Sequence, residues 1–224
     1  MFSRKQLIKL LAPLIIEQIM TVLVGMVDVV MGGAVGAAVS GVSLVDSISI
    51  LIIQIMGAMA TGGAVVCSQY LGKEDSKEAG RAAGQLVLVT LLMALTVTVV
   101  ALVGNRHLLR GIFGAVEQSV MDNAQTYFWI TALSYPFLGL YNACAALFRS
   151  MGNSKVSMFT SFVMNGINII GNAICVFGLK MGVAGVALPT LISRVTAAFM
   201  MFVLIHRGRH DDGADPEQAQ YHQA

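Results

Sequence analysis

The chain has 224 residues, of which 56% are hydrophobic and only 12% charged, with a formal net charge of +2. Soluble domains carry about 25% charge, whereas the mean hydropathy here is +0.76. Composition therefore excludes a water-soluble globule, gives no basis for a nucleic-acid partner, and describes an integral membrane protein whose first partner is the lipid bilayer.

Residues 1–9 are short and basic, and the apolar run behind them is too long for a signal-peptide core and lacks a cleavage site. It reads as a retained first span over 10–34. A span needs about 20 mostly apolar residues, and five further segments meet that template: 44–70, 86–103, 124–147, 156–177 and 183–205. Between them lie a Gly-rich turn at 32–36, a charged loop at 72–81, a polar connection at 104–123, a tight turn at 149–155 and a Gly turn at 178–182. Residues 206–224 are polar, without apolar periodicity, and are expected to be a disordered tail. The fold class expected is thus all-α and polytopic: an N-terminal segment over 1–9, a six-helix transmembrane lobe over 10–205, and the tail. Cys67, Cys144 and Cys175 stand singly in apolar stretches and read as packing residues, with neither a disulfide framework nor metal-ligand spacing.

Basic residues set the expected orientation. With the N-terminus cytoplasmic, one side holds Arg4, Lys5, Lys9, Lys73, Lys77, Arg81, Arg149, Lys155, Arg207 and Arg209, and the other Arg106, Arg110 and Lys180. That positive-inside bias puts both termini in the cytoplasm. Short loops suit a cell inner (plasma) membrane. Arg194 lies inside the last span, where it either pairs within the bundle or faces a wet crevice.

A carboxylate inside a span costs roughly 2.5–3.5 kcal/mol on insertion scales and commonly marks an ion or substrate path. Asp28 is such a group. Glu17, Thr21, Gly25 and Asp28 follow i, i+4, i+8, i+11 spacing and share one helix face. Ser161, Asn165, Asn168 and Asn172 repeat the device on the fifth span. At 1.5 Å per residue, Asp28 sits roughly 27 Å above the start of its span, and Asn168 and Asn172 roughly 18 and 24 Å above the start of theirs. Thr190 lies roughly 10 Å below the outer end of the sixth span, and Tyr135, beside Pro136 in the fourth, falls in the same outer half. A carboxylate, two amides, a hydroxyl and a phenol at one level suit a proton or a hard cation bound through oxygen. Asn165 and Ser161 also fit plain helix–helix hydrogen bonding, and Glu17 reads as solvated near the interface. Pro13 falls near a helix start, where it costs little. Pro136 and Pro189 are interior, must free a backbone carbonyl, and are expected to kink their spans. Tyr127 and Trp129 read as interface anchors.

Several segments together resemble a known family. They are Val27-Asp28-Val29-Val30-Met31-Gly32 with the following turn, Ala60-Thr61-Gly62-Gly63 leading to Gln69-Tyr70-Leu71-Gly72, Phe148-Arg149-Ser150-Met151-Gly152-Asn153, Asn168-Ile169-Ile170-Gly171-Asn172, and 182–190 ending in Pro189-Thr190. In this order and spacing, over about residues 7–205, they resemble the multidrug and toxic compound extrusion (MATE) transporters. The resemblance implies an efflux antiporter that exchanges protons or sodium for organic, often cationic, drugs, with no cofactor. It implies a cation site in the N-terminal lobe, carried over by motif to Asp28, Asn168, Asn172 and Thr190. From their depth and stripe, Tyr135 and Asn165 are expected to line the substrate path beside it. Some members have a second carboxylate where this chain has Asn172. Members have two six-helix lobes, and this chain supplies one, so a truncated product or a partner is expected: a second six-helix half or another copy of itself. A lipid-linked oligosaccharide flippase would want more cationic cavity residues than Arg194. The remaining alternative is a non-transporting membrane partner of a full-length transporter. Paired catalytic carboxylates, a His/Glu metal motif and a Gly-rich phosphate loop are all missing from the sequence, so no enzyme is expected.

Overall fold

The computed structural model describes residues 4–33, 38–114 and 116–214, and their side chains except at 4–7, 9–10, 27–30, 32–33, 38–39 and 206–214. Asp28 therefore has a described helix but lies, as a side chain, outside the described residues. The described chain is all-helical, in the order α1 (Arg4–Gly33), α2 (Ala38–Gly72), α3 (Ser76–Phe113), α4 (Gln118–Leu133), α5 (Tyr135–Ser150), α6 (Ser154–Ala173), a π-helical turn (Ile174–Gly178) and α7 (Ala184–Ala214).

Hydropathy explains why these are spans. Four stretches, Ser40–Gly72, Ser76–Phe113, Ser154–Gly178 and Ala184–Ile205, are each long and apolar enough to cross a membrane. The pair α4 and α5 passes the same test as one span bent by 44°. In α1, a helix of 30 residues, the apolar stretch with described side chains is Leu11–Met26. Ile50, Leu92, Val103, Phe162 and Phe199 are exposed on the bundle, as expected where lipid rather than water is the solvent.

The helices outrun the expected spans. α3 has 38 residues, about 57 Å at the helical rise against a hydrocarbon core of about 30 Å. It absorbs most of the segments expected to be the 72–81 loop and the 104–123 connection. The local reason is a start signal: the Asp75 carboxylate accepts the Glu78 N–H at 3.1 Å, capping the first turn, and Glu78 pairs with Arg81 at the surface. Likewise α7 continues past Ile205 to Ala214, into the polar segment expected to be disordered; residues 215–224 lie outside the described residues. Since α1 begins at Arg4, Pro13 lies inside the helix rather than at its start.

The bend expected at Pro136 is a break. α4 ends at Leu133 and Pro136 sits in the first turn of α5, where a missing N–H costs least. The carbonyl that Pro136 cannot reach, Ala132 O, accepts Thr98 Oγ1 of α3 at 3.2 Å. Pro189, by contrast, lies within continuous α7.

Small residues allow close helix contacts. A methyl built on Gly41 would lie 2.8 Å from the Val120 carbonyl oxygen, joining α2 to α4. One on Gly139 would lie 2.9 Å from Ala94 Cβ, joining α5 to α3, and one on Gly171 2.7 Å from Pro189 Cβ, joining α6 to α7. Helix α6 is packed between α1 and α7, whereas α1 touches α2 only lightly. These contacts fix which polar faces meet.

Candidate functional site

Among the described residues, three polar clusters lie within the bundle. The first joins α6 and α7 at the level selected by the depth argument. The Asn168 amide donates to Thr190 Oγ1 at 3.0 Å, and the Asn172 amide donates to Asn168 Oδ1 at 3.2 Å. Thr190 in turn donates to the Val186 carbonyl at 3.1 Å. Asn168 and Asn172 are buried, Asn172 completely. Gly171, between them on α6, rests against Pro189, which lets α7 come close enough for Thr190 to be reached. The π-helical turn that follows at once lies in the class of local distortions often found beside functional groups. Three of the expected cation ligands are thus brought together. The fourth, Asp28, is on α1, a helix that also packs against α6; its side chain lies outside the described residues.

Two expected lining residues lie elsewhere. The Asn165 amide approaches Ser161 Oγ of its own helix at 3.4 Å and is buried. Tyr135 is fully buried and shares a hydrogen bond of 3.0 Å with Ser49 of α2. It belongs to a second cluster, around the α4–α5 break. There Arg194 Nη1 donates to Ser134 Oγ at 2.6 Å, and the Tyr127 hydroxyl donates to Asp46 Oδ1 at 2.9 Å. Arg194 also acts electrostatically on Asp46. Arg194 thus makes a hydrogen bond within the bundle. Tyr127 is buried on Asp46 rather than serving as an interface anchor, while Trp129 is half exposed. Sequence patterning does not single out Asp46, although the argument that marks Asp28, a carboxylate within a span, applies to it equally.

The third cluster surrounds Glu17, whose side chain is only 15% exposed. Ser157 Oγ lies 3.0 and 3.2 Å from its two carboxylate oxygens. The Tyr141 hydroxyl donates to it at 3.3 Å and Arg149 Nη1 at 3.4 Å. Arg149 also donates to Ser157 Oγ at 3.0 Å. Glu17 is therefore a part-buried, fully partnered junction of α1, α5 and α6 rather than a solvated interfacial residue; a charge withdrawn from water on one helix requires partners on its neighbours.

Among the described residues no cluster of three or more His, Cys, Asp and Glu side chains suited to a metal ion occurs. What the site offers is amide and hydroxyl oxygen within a bundle of apolar helices.

Comparison with known proteins fits this arrangement. Residues 13–174 match the MatE family, and the chain belongs to that family. It is 30% identical over 174 residues to the "Uncharacterized transporter YisQ" of Bacillus subtilis, covering 76% of this chain and 38% of the relative. It is 26% identical over 210 residues to the "Probable multidrug resistance protein NorM" of Thermotoga maritima, covering 91% of this chain and 45% of the relative. A solved outward-facing structure of a multidrug resistance MATE family transporter superposes with a TM-score of 0.85 at 20% identity, covering 92% of this chain and 45% of that one. The chain spans less than half the length of these relatives.

Proposed function

We propose that this chain is one lobe of a cation-coupled multidrug efflux antiporter, and that Asp28, Asn168, Asn172 and Thr190 form its coupling-ion site. The observation that carries the reading is the hydrogen-bonded Asn168–Asn172–Thr190 group, held between α6 and α7, with α1 also packed against α6. The carboxylate supplies the charge that a proton or sodium ion neutralises, and the amide and hydroxyl oxygens supply neutral ligands. With Asn172 where some relatives of this family type carry a second carboxylate, the site has one formal negative charge to offer and binds one monovalent cation. Cation binding and drug binding favour different openings of the transporter, and that difference in affinity drives exchange. The exported compounds are organic and often cationic. The lobe works with a second six-helix half, in a plasma membrane with both termini cytoplasmic; support for that orientation is the distribution of Lys and Arg.

A flippase reading is disfavoured by Arg194, whose guanidinium is engaged with Ser134 and acts on Asp46 rather than being offered to a phosphate. The test is export of ethidium from cells expressing the intact gene, with and without Asp28→Asn. Coupled export is expected to be lost while membrane insertion persists. Normal resistance in Asp28→Asn would overturn the assignment.

A further inference from the structure

The Glu17 junction bears on the coupling-ion site through helix geometry. Helices α1 and α6 alternate with three intervening crossings (α2, α3 and the α4–α5 pair) and hence run in the same direction through the bundle. Glu17 of α1 meets Ser157 of α6. Eleven residues further along α1 is Asp28, and eleven residues further along α6 is Asn168. Eleven residues of α-helix make about three turns plus 20° and rise about 16 Å, so both helices return to nearly the same face at the same height. No proline lies between 17 and 28 or between 157 and 168 to alter that phase.

The junction is specific enough to set the phase. Four donor contacts from three side chains on two helices converge on the Glu17 carboxylate, and rotation of α1 by one residue, 100°, would break all of them. Elsewhere on α1, among the described residues, the polar contacts to other helices end: Leu11, Ile15, Ile16, Ile19, Val22 and Leu23 are all about half exposed, and the buried Pro13 and Val24 are apolar. A hydrophobic helix in lipid has no strong preference for which apolar side faces its neighbours. A carboxylate whose oxygens are already occupied by Ser157, Tyr141 and Arg149 is an anchor, not a vacant cation ligand.

We propose that Glu17, with Arg149, Tyr141 and Ser157, is the positioning group of α1, fixing its rotation and register so that position 28 of α1 comes level with position 168 of α6. This rests on the reading of Asp28 and Asn168 as the ion site, but its structural content is testable without transport. The pair D28C/N168C is placed in the full chain lacking Cys67, Cys144 and Cys175 and treated in membranes with a short bifunctional thiosulfonate. A control pair, native Cys67 with A79C, reports the α2–α3 contact, where Cys67 Sγ lies 3.5 Å from the Ala79 carbonyl.

The D28C/N168C pair is expected to cross-link in the parent, to lose about tenfold in yield when E17A is added, and to recover in the charge-exchanged E17R/R149E background. The control pair is expected to be unaffected. Should E17A abolish the control cross-link as well, the comparison passes to E17Q, which keeps an acceptor oxygen for Ser157 and Tyr141 and removes only the charge; a fall in D28C/N168C yield is again required. Equal yields with and without Glu17 would overturn the proposal, as would failure of D28C/N168C to cross-link in a parent whose control pair reacts. Failure of the ion-site reading is a separate result: an unaltered cation response in Asp28→Asn with cross-linking as expected.

Discussion

Gly171→Ala tests whether the ion-site geometry depends on close approach of α6 and α7. The added methyl would lie 2.7 Å from Pro189 Cβ and 3.1 Å from Pro189 Cγ, whereas carbon atoms rest at about 3.5–4.0 Å. Relief therefore requires about 1 Å of separation, and the obstacle is a proline ring within a helix, which cannot rotate away. Overpacking of this kind costs about 1–3 kcal/mol. The same displacement lengthens the 3.0 Å contact between Asn168 and Thr190 to about 4 Å, beyond hydrogen-bonding range. Thermal unfolding in detergent, followed with a thiol-reactive dye in a C175A background, reads this directly, because Cys67 and Cys144 are buried and free. At about 2–4 °C per kcal/mol for a chain of this size, the midpoint is expected to fall by several degrees, and cation-dependent stabilisation to weaken with it. Gly166→Ala, where an added methyl meets nothing within 4 Å, is the matched control. An unchanged midpoint for Gly171→Ala would refute the close-approach reasoning.

Three further outcomes follow from the polar clusters. Thr98→Val leaves the Ala132 carbonyl at the α4–α5 break without its side-chain donor, and is expected to destabilise by about 1–3 kcal/mol, read by the same thermal assay. Ser134→Ala removes a charge-assisted acceptor from Arg194 and is expected to cost about 1.5–3 kcal/mol. Asp46→Ala deprives Tyr127 of its acceptor and Arg194 of a countercharge; the double variant D46A/R194M is expected to be less destabilised than the sum of the two single changes, by about 0.5–3 kcal/mol.

Much of the architecture is legible in the residues because lipid imposes a length and an apolar content on each crossing. Each of the six segments expected overlaps a helix, the α4–α5 pair counting as one, although α7 starts only at Ala184 and residue 34 lies outside the described residues; the break at Pro136 lies where a missing N–H and a blocked carbonyl dictate. Helix ends are not legible in the same way. Hydropathy marks where a span is apolar, not where its hydrogen bonding stops, so α3 runs through Lys77, Arg81, Arg106 and Arg110. At the site, the i, i+4 spacing of Asn168 and Asn172 and the depth of Thr190 carry the observed cluster. Glu17 escapes because its partners, Tyr141, Arg149 and Ser157, are 124 to 140 residues away; nothing local to α1 distinguishes a partnered junction from a solvated end. Asp46 and Tyr127, 81 residues apart, escape for the same reason.

The most direct test of the central claim is cation-dependent thermal stabilisation of the purified chain. A ligand that binds only the folded state stabilises by RT ln(1 + [L]/Kd), about 2.7 kcal/mol at one hundred times Kd. For the native chain, sodium or protons are expected to raise the unfolding midpoint in a saturable way. Asp28→Asn is expected to abolish that response while leaving the midpoint without added cation close to native. A full response in Asp28→Asn, or none in the native chain, would contradict the assignment of a coupling-ion site to Asp28, Asn168, Asn172 and Thr190.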